Sequence, residues 1–389
     1  MGQALIDSLL AALVAFLVSS AAIPLVKRLA LAVRAVDYPG GRRDQAGGIP
    51  RLGGVAAVLG LFVAQGLLVV LRWGEFKGGI SNLEAVTLPL AFFIIFICGL
   101  LEDTLGLSPI SRVLMQATAA LLVIRAGWSF GAIYLPFVGD LKLGALTGLI
   151  SLLWIVGVTN AINLLDGLDG LAGGVVAIIA STMLIFSLWH QDYLTVLVMG
   201  AMVGACMGFL RKNWAPAKIY LGDAGSLTLG FLLAIVSVRS SVKVSAAIAI
   251  LVPILALGLP VIDTLLVMLF RFTQKRHSPL ARRFARMFRA DRNHLHHLMT
   301  GLGRSRGRIV LGIYAVALVF CAMALVAATS RNATLGFALV GVEILVVFGM
   351  RQLGLHADAL KISLEKRKAA RELLHAATET DLEGVKNNA

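Results

Sequence analysis

The chain has 389 residues, of which 58% are hydrophobic and only 14% are charged, and its mean hydropathy is +0.88. A water-soluble core cannot bury this much apolar surface, so the composition excludes a soluble globular protein and indicates a membrane protein. The net charge of +14 does not indicate a nucleic-acid partner, because the basic residues cluster in loops on alternate sides of the apolar segments. That distribution is typical of membrane orientation.

Apolar segments of membrane-spanning length follow one another along the chain, and we expect about eleven transmembrane helices. Because the apolar runs are continuous rather than alternating, they favour helices over the strands of a membrane barrel. The predicted fold class is therefore an all-α polytopic membrane protein in a lipid bilayer. The expected spans are 4–26, 52–71, 86–101, 110–125, 144–159, 168–188, 193–210, 224–238, 244–270, 308–328 and 334–350.

The distribution of basic residues predicts how these helices cross the membrane. With the N-terminus outside, the inside loops contain 28 of the 35 Lys and Arg residues, in agreement with the positive-inside rule. An odd number of spans then places the C-terminus in the cytoplasm. We expect residues 1–354 to form a transmembrane domain, and 355–389 to form a polar cytoplasmic tail that is either a charged surface helix or a disordered end. The inside loops are 27–51, 102–112, 211–218, 271–308 and the tail from 351.

Four polar residues recur at a spacing of three in the segment NAINLLDGLDGLA. Side chains three apart share one face of a helical turn, and amide and carboxylate oxygens so arranged suit a hard cation such as Mg²⁺. Helix capping explains one or two such residues at the end of a span but not four. The segment therefore indicates a metal site, and its residues are Asn160, Asn163, Asp166 and Asp169.

Acidic residues also stand at the ends of two other spans. Glu102 and Asp103 are adjacent, and neighbouring carboxylates repel each other unless a cation or a proton relieves them. Asp223, in the stretch YLGDAGS, opens a span among small residues, where a helix N-terminus admits a phosphate. Arg112 begins another span and is placed to bind a phosphate. The alternative for each acidic group is a solvated or capped helix end.

The most basic loop, 271–307, contains the motif DRNHLHH. A zinc site would need a fourth ligand, and no cysteine is near. Imidazole and guanidinium groups donate hydrogen bonds to a diphosphate, so we expect this motif to bind one. The positive-inside rule accounts for nearby arginines but not for three histidines. The candidates are Arg289, Arg292, His294, His296 and His297.

All of these polar motifs fall in loops that are predicted to lie inside. Ionised groups near lipid are costly and are usually retained for function, so we expect a catalytic surface at the cytoplasmic face. The first inside loop, with DYPGGRR from Asp37 to Arg43 and GIPRLGG from Gly48 to Gly54, adds turns and arginines that suit a phosphate. Alone, that loop is a weak signal.

Taken together and in this order, the motifs resemble the polyprenyl-phosphate N-acetylhexosamine-1-phosphate transferases, which form glycosyltransferase family 4. The likeness runs from Asp37 to about Gly303, and DRNHLHH resembles the branch that starts common-antigen, O-antigen and teichoic-acid linkers rather than the muramoyl-pentapeptide branch. The resemblance implies transfer from a UDP-N-acetylhexosamine to undecaprenyl phosphate with release of UMP. It further implies Mg²⁺ or Mn²⁺ as cofactor and the bacterial cytoplasmic (inner) membrane as location, and it leaves room for a homodimer.

The family's residue roles transfer by position. The resemblance implies that Asp223 and Asn163 hold the metal, with Asp166 close by, and that Asp169 and Tyr220 contact the uracil. The implied ligands of the diphosphate are Arg112, Arg292, His294, His296 and His297.

Glu102 and Asp103 would lie beside the lipid phosphate, as a base or as electrostatic positioners. The chain has Glu102 where the family usually has a first aspartate, and it has Asp44 and Gln45 where the family has a histidine after the basic pair of the first loop. The second difference bears on the choice of sugar.

Two alternatives stay open. A transporter or flippase for an anionic lipid would place polar groups near the bilayer midplane, with a path to both faces. A related transferase that uses another UDP-sugar, such as a fucosamine or quinovosamine derivative, would share the motifs. Direct attack by the lipid phosphate and a phospho-enzyme on an aspartate are both compatible with the residues.

Overall fold

The structure is a computed structural model, and it describes most of the chain. The described residues are 1–38, 48–72, 74, 80–135, 139–243, 246–274, 279–287, 294–301, 303, 305–330 and 332–386. Arg292 and Arg289, for which the sequence predicts a diphosphate site, lie outside them, as do Asp44 and Gln45.

The described residues are almost entirely helical. In chain order the helices are α1 Gly2–Ala32, α2 Gly53–Leu71, α3 Asn82–Leu105, α4 Pro109–Arg125, α5 Thr147–Leu165, α6 Leu171–Trp189, α7 Tyr193–Asn213, α8 Gly222–Lys243, α9 Ala246–Ala256, α10 Gly258–Thr273, α11 Leu280–Met287, α12 Leu295–Thr300, α13 Arg306–Ser330 and α14 Ala333–Lys386. Two short antiparallel pairs join β1 Val36–Asp37 to β2 Ile49–Pro50 and β3 Ala132–Leu135 to β4 Gly139–Lys142. The all-α polytopic fold is thereby confirmed.

Nine helices in the described part are long and apolar enough to cross a membrane. The other two predicted spans are helical as well: α4 has 17 residues, and the segment expected at 244–270 contains, in its described part from residue 246, α9 and most of α10, which meet at Leu257. Pro253 and Pro260 flank this junction, and a proline cannot donate the hydrogen bond that a continuous helix needs. A long apolar run therefore becomes two shorter helices.

The most buried span is α8, although it is the least apolar of the nine. Its stretch Gly222–Ser240 is 94% buried, because α8 packs against α2, α3 and α5 rather than against lipid. Its hydroxyl groups are satisfied by carbonyls of its own backbone, as Thr228 donates to the carbonyl of Ala224 and Ser240 to that of Val236. Small and hydroxylated residues allow helices to approach closely in a membrane. Contacts with the neighbouring helices, rather than a high hydropathy, therefore hold α8 in the bundle.

The N-terminus of α8 lies in backbone contact with α2. A Cβ added to Gly54 would overlap the Cα atom of Gly225, so the two helices touch without intervening side chains. The backbone N–H groups of Gly53 and Gly54 donate to the carbonyls of Tyr220 and Leu221, at 2.8 and 2.7 Å. These contacts fix the segment before Asp223 against the start of α2.

Ion pairs hold the opposite end of the helices together. Arg72, at the end of α2, donates to Asp7 near the start of α1 at 2.9 Å, and Tyr193 donates to the same carboxylate. Arg239, near the end of α8, donates to Asp192 at 3.1 Å and lies 3.5 Å from Glu84. We call this end the far end, because the polar cavity described below lies at the other ends of these helices.

The last helix, α14, runs from Ala333 to Lys386 without interruption. At about 1.5 Å per residue it is about 80 Å long, and only Ala333–Ala357 has the composition of a span. The boundary predicted at residues 354 and 355 therefore lies within one continuous helix.

Candidate active site

A polar cavity of about 250 Å³ lies where α1, α5 and α7 end and α2, α8 and α13 begin. The antiparallel up-and-down order of the helices brings these ends together, since each of these segments turns around at the same end of the bundle. The predicted convergence of polar motifs at one end of the helices is thus observed for the residues that line the cavity. They are Asp37, Arg51, Asn163, Asp166, Gly167, Leu168, Asp169, Asn213, Tyr220, Gly222, Asp223 and Arg306.

The lining carries more negative than positive charge. Four carboxylates, on Asp37, Asp166, Asp169 and Asp223, face two guanidinium groups. Burial, together with the negative charges of Asp223 and Asp103, raises the pKa of Asp166 well above its usual range. A cation in the cavity would oppose that shift, and an anionic substrate would meet less repulsion if a cation entered with it.

Asp223 and Asn163 are in direct contact in the cavity wall. The Asn163 amide Nδ2 donates to Asp223 Oδ1 at 2.6 Å and to Ser226 Oγ at 2.8 Å, and the Ser226 hydroxyl donates to the carbonyl of Gly222. With its amide nitrogen engaged, Asn163 retains its carbonyl oxygen, a ligand that suits Mg²⁺. This pair fits the predicted metal ligands.

A preassembled metal cage is absent from the described part of the chain, where no three His, Cys, Asp or Glu side chains come together as ligands. Mg²⁺ does not need such a cage, because it keeps several waters and takes substrate phosphate oxygens beside one or two carboxylates. The donor set therefore fits a metal that enters with a diphosphate.

Asp103 contacts the backbone at the start of α8. Its carboxylate accepts hydrogen bonds from the N–H groups of Asp223, at 3.0 Å, and Ala224, at 2.9 Å, and the side chain is buried. Gly222 has a φ of +71°, and a Cβ there would lie 2.5 Å from Asp103 Oδ2. Only glycine allows both the left-handed turn and the close approach of the carboxylate. Asp103 thus holds the backbone that carries Asp223.

Glu102 has different partners from its neighbour. Its Oε2 accepts a hydrogen bond of 2.7 Å from the N–H of Leu107, and its Oε1 lies 3.8 Å from Arg112 Nη1. The same Arg112 nitrogen lies 4.0 Å from Asp223 Oδ2. Arg112 therefore stands between Glu102 and Asp223, and all three side chains keep partial solvent exposure. None of Glu102, Asp103 and Arg112 lines the cavity itself. Asp103 accepts from the backbone of Asp223, Arg112 lies near the Asp223 carboxylate, and Glu102 is linked to Asp223 only through Arg112.

The four polar residues predicted to share one helical face do not all do so. Helix α5 ends at Leu165, so Asp166 and Asp169 belong to the loop 166–170. Asn160 lies on α5 but donates to Gln116, at 2.6 Å, and does not line the cavity. The glycines of the motif end the helix and turn the loop into the cavity, which periodicity alone did not show.

Asp169 and Tyr220 lie on two loops that form one side of the cavity. Asp169 accepts a hydrogen bond of 3.0 Å from the N–H of Ala217, and burial, then the negative charges of Asp169 and Asp37, raise the pKa of Tyr220. The buried amide of Asn213 joins the two loops, because it accepts from the N–H of Gly170 at 2.9 Å and donates to the carbonyl of Ile219 at 2.8 Å.

The three histidines are not among the residues that line the cavity. His296 is buried, and a Cβ on the cavity residue Gly167 would overlap its Nε2. Burial, followed by the effects of His297 and His294, lowers the pKa of His296 to about 3. His296 is therefore a neutral imidazole with one N–H to donate. His294 is bonded to Asp263 at 3.0 Å, and the ring of His297 lies 4.1 Å from that of His296.

Sequence reasoning missed Arg306 and Asn213, and it gave little weight to Asp37 and Arg51. Each lies at the end of a predicted span or in a predicted inside loop. Asn213, buried and polar at the last residue of α7, could have been found as an amide at a span boundary. Arg306 could not be separated from the topological arginines of its loop.

Comparisons with known proteins bear on this site. The family model described as glycosyl transferase family 4 matches residues 85–241, which include Glu102, Asn163 and Asp223. A probable undecaprenyl-phosphate N-acetylglucosaminyl 1-phosphate transferase of Bacillus subtilis (strain 168) is 33% identical over 340 residues, which cover 86% of this chain and 89% of the relative. The chain belongs to glycosyl transferase family 4. The resemblance drawn from the motifs is thereby confirmed.

Other members of family 4 align over similar lengths. A decaprenyl-phosphate N-acetylglucosaminephosphotransferase of Mycobacterium leprae (strain TN) is 31% identical over 339 residues, or 80% of this chain and 82% of the relative. A phospho-N-acetylmuramoyl-pentapeptide-transferase of Caldicellulosiruptor bescii is 31% identical over 337 residues, or 82% of this chain and 97% of the relative. This family 4 member is thus similar to both branches along most of its length.

Proposed function

We propose that this membrane protein transfers an N-acetylhexosamine 1-phosphate, most simply N-acetylglucosamine 1-phosphate, from a UDP-sugar to undecaprenyl phosphate. UMP is released, and the product starts a lipid-linked glycan of the cell envelope, such as an O-antigen. The observation that carries the proposal is the Asp223–Asn163 pair in a polar cavity at the ends of membrane helices. Relatives named as polyprenyl-phosphate N-acetylglucosamine transferases support the same reaction class.

The reaction needs positioning and charge neutralisation more than covalent chemistry. An oxygen of the lipid phosphate attacks the phosphorus that bears the sugar, a new P–O bond forms, and the bond to the bridging oxygen breaks so that UMP leaves with it. Bound Mg²⁺ or Mn²⁺ would neutralise the diphosphate and the leaving UMP. Asp223 and Asn163 would hold that ion, while Asp166 lies close by in the same wall.

The remaining residues would orient the two substrates. Asp169 and Tyr220, on the two loops joined by Asn213, would bind the uracil. Glu102, with a partly exposed carboxylate, would lie at the lipid phosphate, and Arg112 would exchange its contact with Glu102 for one with a phosphate. Asp103 would act through the backbone of Asp223. The diphosphate would be bound by Arg112, Arg292, His294, His296 and His297.

The chemistry of the acceptor determines where the site must lie relative to the bilayer. A prenyl phosphate keeps its tail in the bilayer and its phosphate at the interface, which suits a cavity at the ends of spanning helices. The nucleotide sugar is a cytosolic compound, so we place the cavity end at the cytoplasmic face of the bacterial inner membrane, with the N-terminus outside. A homodimer is compatible with this arrangement.

Three acidic groups that the structure describes at the far end do not favour a transporter. Asp7, Asp192 and Glu84 are each bonded to an arginine or a neighbouring donor, so they form a closed brace rather than a second binding site. A transferase for a different UDP-N-acetylated sugar stays the alternative.

The test is a reconstituted reaction. The purified chain in detergent would be given undecaprenyl phosphate and a panel of labelled UDP-sugars, with and without Mg²⁺, and UMP would be measured. We expect metal-dependent UMP release with at least one UDP-N-acetylhexosamine, and Asp223→Asn should abolish it while the protein elutes as a folded species. Absence of UMP with every donor, or full activity of Asp223→Asn, would contradict the proposal.

A further inference from the structure

Asp263, on α10, binds two groups of the histidine motif with one carboxylate. Its Oδ2 lies 3.0 Å from Nδ1 of His294, and its Oδ1 accepts a hydrogen bond of 3.0 Å from the N–H of Leu295. Leu295 is the first residue of α12, so the carboxylate caps this short helix while it holds the ring that precedes it. Asp263 and His294 are 4% exposed, which excludes a solvated surface pair.

The last helix supports the same contact from the other side. Arg351, on α14, places Nη1 at 3.9 Å from Asp263 Oδ1, and its guanidinium lies 5.5 Å from the centre of the Phe270 ring on α10. Gly354, one turn further along α14, packs on Leu298 of α12, since an added Cβ would lie 2.7 Å from the Leu298 Cβ. The helix α12 is thus fixed between α10 and α14.

The position of α12 affects the cavity through the side chain of His296. This side chain packs directly on Gly167, and Gly167 lies between Asp166 and Asp169 in the cavity lining. A shift of α12 would therefore move the histidines relative to the loop 166–170. The buried bond between Asp263 and His294 lies at the start of α12 and therefore opposes such a shift.

The bond also determines where His294 carries its proton. A carboxylate only accepts hydrogen bonds, so Nδ1 of His294 must bear the hydrogen. The other nitrogen, Nε2, is then either a bare acceptor in the neutral ring or a donor in the imidazolium. Nε2 of His294 is buried and has no hydrogen-bond partner among the described residues.

We propose that Asp263 is a positioning residue of the transfer reaction: its carboxylate fixes the proton of His294 on Nδ1 and holds α12 against the loop 166–170. The proposal rests on the proposed function for the reaction itself. Its structural part, the protonated Nδ1 of His294, is independent of the substrate. Asp263 does not line the cavity and acts through His294 and α12.

The deciding variant is Asp263→Asn. The asparagine carbonyl still accepts from the N–H of Leu295, so the cap of α12 is retained. Toward His294 the amide presents an N–H donor, which requires an unprotonated Nδ1 and shifts the proton to Nε2. Such a tautomer change by an Asp-to-Asn exchange is known to impair catalysis when geometry is kept. The substitution thus separates the histidine contact from the helix cap.

The first measurement is ¹⁵N NMR of the full-length chain labelled at histidine, with His294→Gln used to assign the signal. We expect a protonated Nδ1 of His294 in the wild type and its loss in Asp263→Asn. An unprotonated Nδ1 in the wild-type chain would overturn the proposal, and this result needs neither a folded Asp263→Asn variant nor any turnover.

The second measurement is the steady-state kinetics of UMP release. Loss of the partner that orients a metal-ligating histidine costs about 10- to 100-fold, and we expect a decrease of that order in kcat for Asp263→Asn with a KM for the UDP-sugar close to the wild-type value. In the His294→Gln background, Asp263→Asn should have little further effect, because the two residues act as one unit. An equal decrease in both backgrounds, or an unchanged kcat, would contradict the proposal.

Asp7→Asn is the matched control. Asp7 is a buried carboxylate that also pairs with an arginine, at 2.9 Å, but it lies at the far end, about 38 Å along α1 from Ala32, where α1 ends near the cavity, at about 1.5 Å per residue. It should leave kcat near the wild-type value. A wild-type chain that releases no UMP from any donor would contradict the proposed function, whereas the NMR result tests the Asp263–His294 bond in either case.

Discussion

The carboxylate of Asp103 accepts a hydrogen bond of 3.0 Å from the backbone N–H of Asp223. The second oxygen accepts from the N–H of Ala224, so both are engaged at the first turn of α8, where a negative charge is favourable. Glu102 lies next to Asp103 in sequence, yet it pairs with Arg112 and keeps solvent access. Two adjacent carboxylates thus have separate partners: Asp103 supports the backbone that carries Asp223, the proposed metal ligand, whereas Glu102 stays accessible to solvent.

Asp103→Asn and Glu102→Gln should therefore differ in what they damage. The asparagine can accept only one of the two N–H groups, which leaves a buried donor unpaired at a cost of about 1–3 kcal/mol, so both thermal stability and UMP release should fall. The glutamine keeps an acceptor for the N–H of Leu107 and removes only a charge. Glu102→Gln should lose activity while its melting temperature stays near the wild-type value. Thermal unfolding in detergent and UMP release measure both, and a stable Asp103→Asn would argue against the support role.

A divalent cation should change how stability depends on pH. Because burial raises the pKa of Asp166 in the folded state, the folded protein binds its proton more tightly than the unfolded chain does. That contribution to stability is complete below the ordinary aspartate range, near pH 4, and is lost as the pH rises through the raised pKa. Mg²⁺ should oppose the loss by favouring the ionised carboxylate.

We expect the metal-free protein to melt at lower temperatures as the pH increases, and Mg²⁺ to raise the melting temperature most at high pH. Asp166→Asn should reduce both effects, since the amide does not titrate. Thermal unfolding with and without EDTA measures this. If Mg²⁺ raised the melting temperature equally in the wild type and in Asp166→Asn, ionisation of Asp166 would not be linked to binding of the ion.

The sequence predicted the helices and the end of the bundle where polar groups gather, because hydropathy and positive charge are local properties of the chain. It did not predict the bond between Asp263 and His294, or that between Asn213 and the loop 166–170. Those partners are 31 and 43 residues apart, and only the packing of several helices brings them together. Spacing also placed Asp166 and Asp169 on a helix, whereas the glycines that follow them end the helix at Leu165.

The contact between Gly167 and His296 can be tested by its steric demand. A Cβ on Gly167 would overlap Nε2 of the buried His296, and overpacking of this kind costs about 1–3 kcal/mol. Gly167→Ala should therefore lower the melting temperature and the activity. Adding His296→Ala should recover stability in Gly167→Ala, because the space is then free, although it should not recover activity. If the loss of stability in the double variant equalled the sum of the losses in the two single variants, the two residues would not be in contact.

Asn213 should be needed for the shape of the side of the cavity that is proposed to bind the uracil. Asn213→Leu leaves the N–H of Gly170 and the carbonyl of Ile219 unpaired, and each buried group costs about 1–3 kcal/mol. The loop with Asp169 and the loop with Tyr220 then lose the side chain that joins them. The KM for the UDP-sugar should therefore increase along with the loss of stability. Asn160→Leu, which removes an amide outside the cavity lining, is the control and should change stability without changing that KM. The same KM in Asn213→Leu would contradict the role.

The two arginines of the cavity lining, Arg51 and Arg306, should bind the negative charge of the donor. A hydrogen bond to a charged group contributes about 1.5–3 kcal/mol, which corresponds to a change in affinity of about 10- to 100-fold. Arg51→Gln and Arg306→Gln should each raise the Kd for a UDP-sugar by such a factor in calorimetric titrations with Mg²⁺. Arg125→Gln, at an exposed arginine in the last turn of α4, should leave the Kd unchanged. If all three variants weakened binding equally, the effect would reflect the overall positive charge of the protein rather than contacts inside the cavity.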